Sequence, residues 1–294
     1  MAKDITYRST QMRLNKDKFA LFLIIFFTII TTLPLLLIIG KLIVKGIGQI
    51  NLDFFTKITP NTLEAMVALA SGERIPGGIL NGITGSLYML LIASAIAIPT
   101  GILTGVFLSE NPDKKYSNII RDIADVLQGV PSIVLGIIAY IWVVKNITRG
   151  FSALAGSVSL SIMMLPLIIR STEETLKMIP ASIREAGFAL GVPYHKIIFK
   201  ILLPSGMSGL LTGILLSISR ILGETAPLMM TALGSSVINF NIAKPTSAVP
   251  LLIWEFYNDP NMISLIWGSS LFLMLIVLSL NIIAKRIARK WKIQ

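Results

Sequence analysis

Two ionisable residues lie close together in a segment that is otherwise almost entirely apolar. Arg220 is followed four residues later by Glu224, within the sequence SISRILGETAP. The fixed fork of a guanidinium can donate two parallel hydrogen bonds to an oxyanion, and a carboxylate can accept the proton of a partly protonated one. Arg220, Glu224 and the adjacent Thr225 are therefore candidates for contacting an anion that crosses a membrane.

A structural role explains the same charges equally well, because an ion pair four residues apart could lock a helix bundle. At about 100° per residue, several small and charged residues fall within an arc of roughly 80°. They are Gly209, Gly213, Ser217, Arg220 and Glu224. Small residues at this spacing let membrane helices approach closely, so we expect this face to contact a partner helix or a pore.

Composition predicts that these charges belong to a membrane protein. The 294 residues are 54% hydrophobic and 14% charged, with a mean hydropathy of +0.78, whereas about a quarter of the residues in soluble domains are charged. The absence of cysteine excludes disulfides, thiolate nucleophiles and zinc–cysteine sites. The net charge of +11 arises from Lys and Arg at the ends of apolar segments, which indicates membrane topology rather than nucleic-acid binding.

Six apolar segments are each long enough to cross about 30 Å of hydrocarbon. They cover 19–44, 85–108, 126–144, 153–169, 206–223 and 263–284. Pro34 predicts a kink in the first segment, and Pro166 predicts an interruption of the fourth. With both termini on one side, that side carries most of the 26 Lys and Arg residues, which places both termini in the cytosol. The predicted fold is therefore an all-α polytopic membrane protein with six transmembrane helices.

Residues 170–205 are too polar to span the membrane, yet they have a helical pattern. Pro180 suits the start of a short helix, Gly191 the position after its end, and Pro193 the start of a second helix that Pro204 ends. The second helix has an apolar stripe of Tyr194, Ile197, Ile198, Ile201 and Leu202. This pattern fits either a connector resting on the membrane surface or a helix that docks in a groove of a partner protein.

The same segment resembles the EAA loop of ABC importer permeases, in which Glu-Ala-Ala is followed at fixed spacing by Gly and by Ile-x-Leu-Pro. The matching residues are Glu185, Ala186, Gly187, Gly191, Ile201, Leu203 and Pro204. Gly187 stands where the family has its second Ala, a change that should loosen the helix by about 1 kcal/mol. In this family the loop forms the coupling helix that fits a groove on the ATPase subunit. The resemblance therefore implies that residues 170–205, here named the coupling loop, bind an ATPase.

Two further segments are similar to phosphate importer permeases. They are QGVPSIVLG at 128–136 and GETAPL at 223–228, and the GETAPL segment resembles that of the PstA-type subunit. The resemblance covers about residues 76–285 and implies a type I ABC importer permease fold with a cytosolic EAA coupling loop. It also implies four partners: a second permease subunit of the PstC type, a homodimeric PstB-type ATPase, an extracytoplasmic PstS-type phosphate-binding protein, and membrane lipid. ATP and Mg would be bound by the ATPase, with no cofactor in this chain.

The resemblance suggests a division of the chain and a location in a bacterial or archaeal plasma (inner) membrane. The expected parts are a cytosolic N-terminal tail (1–18), the first transmembrane helix with an outer loop (19–75), the permease core (76–285) and a cytosolic basic tail (286–294). Arg170, at the inner end of the fourth span, is a further candidate for the substrate path on the exit side. An anchor that follows the positive-inside rule explains Arg170 equally well.

Sequence motifs give no support for catalysis by this chain. It lacks G-x-x-x-x-G-K-[ST], H-E-x-x-H and G-x-S-x-G. His195 is its only histidine, which excludes a catalytic triad and a histidine metal cluster. We therefore expect a non-catalytic membrane subunit.

The predicted function is transport of inorganic phosphate into the cytoplasm as the permease subunit of an ATP-driven importer. Glu224 could accept the P–O–H proton of phosphate, whereas sulfate has no such proton at neutral pH. Two alternatives remain open: a permease of the same fold for phosphonate, sulfate, molybdate or an amino acid, or a self-sufficient secondary carrier or membrane scaffold. The absence of inverted half-repeats argues against the secondary carrier.

Overall fold

A computed structural model describes residues 2–290, and in this range the regular secondary structure is helical, with no β-strand. The α-helices are α1 (Ala2–Gly46), α2 (Leu52–Thr56), α3 (Thr62–Ala70), α4 (Leu80–Glu110), α5 (Lys115–Gly129), α6 (Ser132–Ala139), α7 (Ala153–Lys177), α8 (Ala181–Ala189), α9 (Tyr194–Ile197), α10 (Leu203–Ser205), α11 (Met207–Ile221), α12 (Ala226–Thr231), α13 (Val249–Tyr257) and α14 (Ile263–Lys290). Two π-helical segments, Tyr140–Thr148 and Ile198–Leu202, extend α6 and α9, and a 3₁₀ turn at Pro260–Met262 precedes α14. The predicted all-α class is confirmed.

Four helical stretches within residues 2–290 are long and apolar enough to cross a membrane as single helices. They are Lys16–Gly46, Leu80–Glu110, Ala153–Lys177 and Pro260–Arg289. Two bent pairs, Lys115–Gly129 with Ser132–Thr148 and Tyr194–Ser205 with Met207–Ile221, raise the number to six if each pair crosses once. The six predicted spans thus correspond to four straight helices and two broken ones.

The predicted third span, 126–144, is wrong as a single straight helix. The chain bends by 107° between Lys115–Gly129 and Ser132–Thr148. Pro131 has no N–H to donate, and its ring disfavours the helical conformation at Val130, which is extended at φ −70° and ψ 130°. The bend therefore follows from the proline that the prediction placed inside the span.

The predicted interruption of the fourth span at Pro166 is also wrong. Helix α7 continues through Pro166 to Lys177, so residues 170–177 belong to this helix rather than to the polar hinge. Pro166 is buried, and tertiary packing in a membrane bundle can hold a helix that lacks one backbone hydrogen bond.

Helices α4 and α7 form the centre of the bundle. A Cβ atom at Gly101 would lie 2.7 Å from Cγ2 of Ile168, and one at Gly105 would lie 2.5 Å from Cβ of Thr172. These glycines let the two backbones approach closely. The largest apolar cluster, which includes Met89 of α4 and Met164 of α7, fills the remaining contact.

Helix α1 lies at the edge of the bundle and packs against the first half of α14. Lys41 and Lys45 lie 5.7 and 5.3 Å from the ring centroid of Trp267, within the range of a cation–π contact. The helix runs without a break from Ala2 through Pro34 to Gly46, so no structural boundary occurs at the predicted limit of residue 18. The basic tail predicted at 286–294 is helical to Lys290, and residues 291–294 lie outside the described part of the chain.

Both ends of the described chain lie at the end of the bundle that contains α8, here named the α8 end. Gly46 contacts Trp267 and Leu271 in the first half of α14, so α1 and α14 run antiparallel. Ala288, near the end of α14, lines a cavity with Pro180 and Ile183 at the start of α8. The placement of this end in the cytosol stays a prediction.

Candidate functional site

The first half of the coupling loop is a helix that ends in a glycine corner. Pro180 precedes α8, and Gly191 follows it with a φ of +70°, a left-handed conformation that glycine adopts without strain. The amide of Val192 donates to the carbonyl of Gly187 at 3.1 Å, and the amide of Gly191 donates to that of Phe188 at 2.9 Å. This pair of hydrogen bonds is a Schellman motif, and it confirms the predicted helix and corner.

The second half of the coupling loop is helical for longer than the sequence predicts. Pro193 caps α9, and the helical path continues through a π-helical turn and α10 to Ser205. Pro204 therefore does not end the helix. The widened turn lies just before Pro204, which has no N–H for an ordinary helical hydrogen bond. The break comes at Gly206, where the path bends by 69° into α11.

An apolar cluster holds the two halves of the coupling loop together. Ile197, Ile198 and Leu202 of the predicted stripe are buried with Leu176 at the end of α7. Gly187 is buried as well, and a Cβ atom at this position would lie 3.1 Å from Cδ1 of Ile197. Glycine at position 187, where the family has its second alanine, thus allows closer packing of α8 on α9.

Seven of the nine residues of α8 are exposed, all except Arg184 and Gly187. Glu185 and Ala186 are exposed, and so are two large apolar side chains, Phe188 at 53% and Leu190 at 82%. In the Ile-x-Leu-Pro part of the EAA motif, Ile201 and Leu203 are half-buried and Pro204 is exposed. The EAA residues therefore divide between an outward face, which is free for contact, and an inward face, which packs against the bundle.

Glu110, the last residue of α4, was missed by sequence reasoning. Its Oε1 lies 2.8 Å from Nη2 of Arg184 in α8, and its Oε2 accepts a hydrogen bond of 3.0 Å from the hydroxyl of Tyr194 in α9. No spacing rule connects a residue at the end of one predicted span with a loop that follows a different span.

A second charged cluster joins α5 to α7 at the α8 end. The Glu173 side chain is 3% exposed, with Oε1 2.7 Å from Nε of Arg121 and 2.6 Å from Nζ of Lys177. Arg170 forms an ion pair with Asp125, to which its Nε donates at 3.1 Å, and its Nη1 lies 3.8 Å from Oε2 of Glu173. The structure therefore places Arg170 within an ion-pair network between two helices.

The ion pair between Arg220 and Glu224 that the structural alternative requires does not form, and the expectation that both charges share one helix face is wrong. Helix α11 ends at Ile221, and Glu224 lies in the following turn, where its amide donates to the carbonyl of Ile221 at 3.1 Å. Helical spacing no longer applies beyond this point, so the two charges do not share a helix face. Among the side chains that the structure describes, none forms an ion pair with Arg220 or Glu224; Arg220 is exposed and Glu224 half-buried.

The small-residue face of α11 contacts a partner helix, as predicted. Side chains added at Gly209 and Gly213 would overlap Thr175 and Ser171 of α7, and Ser217 is buried. The hydroxyl of Ser171 donates to the carbonyl of Gly209 at 3.4 Å. This face packs within the chain, whereas Arg220 in the last turn of α11 projects from the packed surface.

The segments QGVPSIVLG and GETAPL are neighbours in space. A Cβ atom at Gly136 in α6 would lie 2.7 Å from Cα of Pro227 in α12. Thr225 directly precedes α12 and is half-buried. The close contact of α6 with α12 therefore fixes the segment that follows Glu224.

Comparisons with known proteins agree with this architecture. Residues 97–293 match the family model described as "Binding-protein-dependent transport system inner membrane component". The chain is 38% identical over 255 residues to the phosphate transport system permease protein PstA of Xylella fastidiosa (strain 9a5c), covering 86% of this chain and 85% of that protein. It is 37% identical to the PstA protein of Yersinia pestis, covering 95% and 92%.

The solved structures include a similar fold at low sequence identity. A chain of the MetNI methionine ABC transporter in an inward-facing conformation matches with a TM-score of 0.60 and 21% identity, covering 71% of this chain and 94% of that one. This match shows the type I ABC importer permease fold. The chain belongs to the family of binding-protein-dependent transport system inner membrane components, and within it to the PstA-type permeases.

Proposed function

We propose that this chain is the permease subunit of an ATP-driven importer that moves inorganic phosphate into the cytoplasm. The observation that carries the proposal is its similarity, over most of its length, to proteins named as phosphate transport system permeases. The contact between the QGVPSIVLG and GETAPL segments, both similar to phosphate importer permeases, supports it.

Energy for transport enters through the coupling loop. A PstB-type ATPase dimer binds ATP and Mg and hydrolyses ATP, and its groove receives the outward face of α8 around Glu185 and Ala186. The exposed Phe188 in the last turn of α8 and Leu190 just after it support this assignment, because exposed apolar side chains are typical anchors in helix-in-groove recognition. The α8 end and both termini then face the cytosol.

The substrate path runs past Arg220, Glu224 and Thr225, between this chain and a PstC-type second permease. Arg220 is exposed and has no ion-pair partner within the described chain, which leaves its guanidinium free to donate to a phosphate ion. A PstS-type binding protein delivers phosphate at the end opposite α8. Arg170 lies on the exit side, where it would have to leave Asp125 to contact the ion.

Transport by the reconstituted complex tests the proposal. The chain is purified from detergent-solubilised membranes with its copurifying subunits, placed in liposomes with the binding protein, and supplied with ATP and radiolabelled phosphate. We expect ATP-dependent uptake that unlabelled phosphate suppresses and that sulfate, molybdate, phosphonate and amino acids leave unchanged. Suppression by one of these other solutes instead would assign that solute as the substrate, and uptake without an ATPase subunit would indicate a secondary carrier.

A further inference from the structure

One carboxylate connects α4 with both helices on either side of the glycine corner. Glu110 ends α4; its Oε1 contacts Arg184 in α8, and its Oε2 accepts from Tyr194 in α9. The two helices are separated in sequence by the corner at Gly191. A single side chain therefore holds the two halves of the corner to the end of a membrane helix.

The surroundings of Glu110 strengthen this connection. Its side chain is only 9% exposed and that of Arg184 is 25% exposed, so water screens the pair less than it would at an open surface. Nη2 of Arg184 also donates to the carbonyl of Leu176 at the end of α7, at 3.5 Å. Arg184 thus connects α8 to both central helices of the bundle.

Apart from this connection, α8 is held mainly by α9, because the ring of Phe188 stacks on that of Tyr194 with the centroids 6.3 Å apart. Helix α8 contains nine residues, of which only Gly187 is buried, and this residue packs against α9 rather than against a membrane helix. Apolar packing opposes a push that brings α8 closer to its neighbours, but over a small area it opposes a pull away from them only weakly. The charge pair with Arg184 on one side of the corner and the hydrogen bond from Tyr194 on the other resist separation as well.

We propose that Glu110 is a positioning residue that transmits movement of the coupling loop to α4, and through α4 to the substrate path. The proposal rests on the proposed function, in which the ATPase pushes and pulls α8. A pull on α8 moves Arg184, and the charge pair with Glu110 transmits this movement to the last turn of α4. The close contact between α4 and α7 then passes the movement on to the rest of the bundle. The Glu173 cluster lacks this role because its ion-pair partners lie on α5 and α7.

The number of phosphate ions imported per ATP hydrolysed tests this role in the reconstituted complex. Glu110→Gln keeps the size of the side chain and can still accept from Tyr194, but it removes the charge that attracts Arg184. We expect the ATPase to copurify as with wild type and ATP hydrolysis to continue, while transport per ATP falls at least about fivefold. Asp113→Asn, which removes an exposed carboxylate at the same end but outside the coupling loop, should leave the ratio at the wild-type value.

Two further variants keep the test decisive if Glu110→Gln does not assemble. Tyr194→Phe removes only the hydroxyl and should lower transport per ATP about twofold. Exchanging the charges, with Glu110→Arg and Arg184→Glu together, should restore much of the ratio lost by either change alone. A wild-type ratio in Glu110→Gln would overturn the proposal, as would a wild-type ratio in Tyr194→Phe together with no recovery in the exchanged pair.

Failure of this proposal is distinguishable from failure of the proposed function. If the wild-type complex imports phosphate with ATP and the Glu110 variants do so at an unchanged ratio, only the positioning role is refuted. If the wild-type chain copurifies with no ATPase, or its complex does not import phosphate, the proposed function itself fails.

Discussion

The coupling loop and the segment from Arg220 to Thr225 place their charged residues in opposite environments. In the loop, Arg184 pairs with Glu110, and this contact fixes α8 against the bundle. In the other segment, Arg220 and Glu224 have no ion-pair partner among the described side chains, although the surrounding helices pack closely. The two proposals assign these environments different roles: the paired charges transmit movement, and the unpaired charges contact phosphate.

Loss of the Arg220 charge should give the largest effect on transport. We expect Arg220→Gln to lower phosphate uptake at least about 100-fold, because two charge-assisted hydrogen bonds are lost, each worth about 1.5–3 kcal/mol. The complex should still assemble, since Arg220 forms no ion pair in the described chain. Uptake assays in cells, with copurification as the control for assembly, measure this effect; near-normal uptake would refute the pathway role.

Charge reversal on the outward face of α8 should instead weaken assembly of this chain with the ATPase. We expect Glu185→Lys to reduce the amount of copurified ATPase about tenfold or more, which corresponds to about 1.4 kcal/mol of binding free energy, and uptake should fall with it. Glu73→Lys reverses an exposed charge far from the loop and serves as the matched control. Equal ATPase recovery from the two variants would remove α8 from the interface.

The contact between α6 and α12, next to the segment from Arg220 to Thr225, can be broken without a change in charge. A valine at Gly136 would press on Cα of Pro227, and overpacking of this kind costs about 1–3 kcal/mol. We expect Gly136→Val to lower the melting temperature of the purified protein by several degrees and to reduce uptake. Gly129→Val is the control, because no atom lies within 4 Å of a Cβ at that position. An unchanged melting temperature in Gly136→Val would contradict the close contact of α6 with α12.

The smallest effect should come from the glycine corner of the coupling loop. Gly191 has a φ of +70° in open space, so Gly191→Ala meets no neighbour, but the left-handed conformation costs it about 1 kcal/mol. We expect uptake to fall by a modest factor, with ATPase copurification partly retained. Gly150→Ala, also in open space but without a left-handed φ, should behave like wild type. Equal uptake by the two variants would show that the corner tolerates a side chain.

Local rules predicted α8 and the glycine corner of the coupling loop well because these features depend on neighbours in sequence. Proline at helix starts and glycine at the corner act through their own backbone preferences, so the start of α8 and the Schellman motif follow from Pro180 and Gly191. The small-residue face of α11 was predicted for the same reason, since it depends only on helical periodicity. The same reasoning fails at Arg220 and Glu224, where periodicity was extended three residues beyond the end of the helix.

The sequence by itself determined that the chain is an all-α membrane protein, which segments are apolar enough to span, and which loop has the EAA pattern. Tertiary structure decided where spans bend or continue, because packing against other helices preserves α7 at Pro166 while the path breaks at Pro131. It also decided which charges meet. Glu110 reaches Arg184 and Tyr194 only because α4 ends beside the coupling loop, and no local pattern encodes such a distance between helix ends.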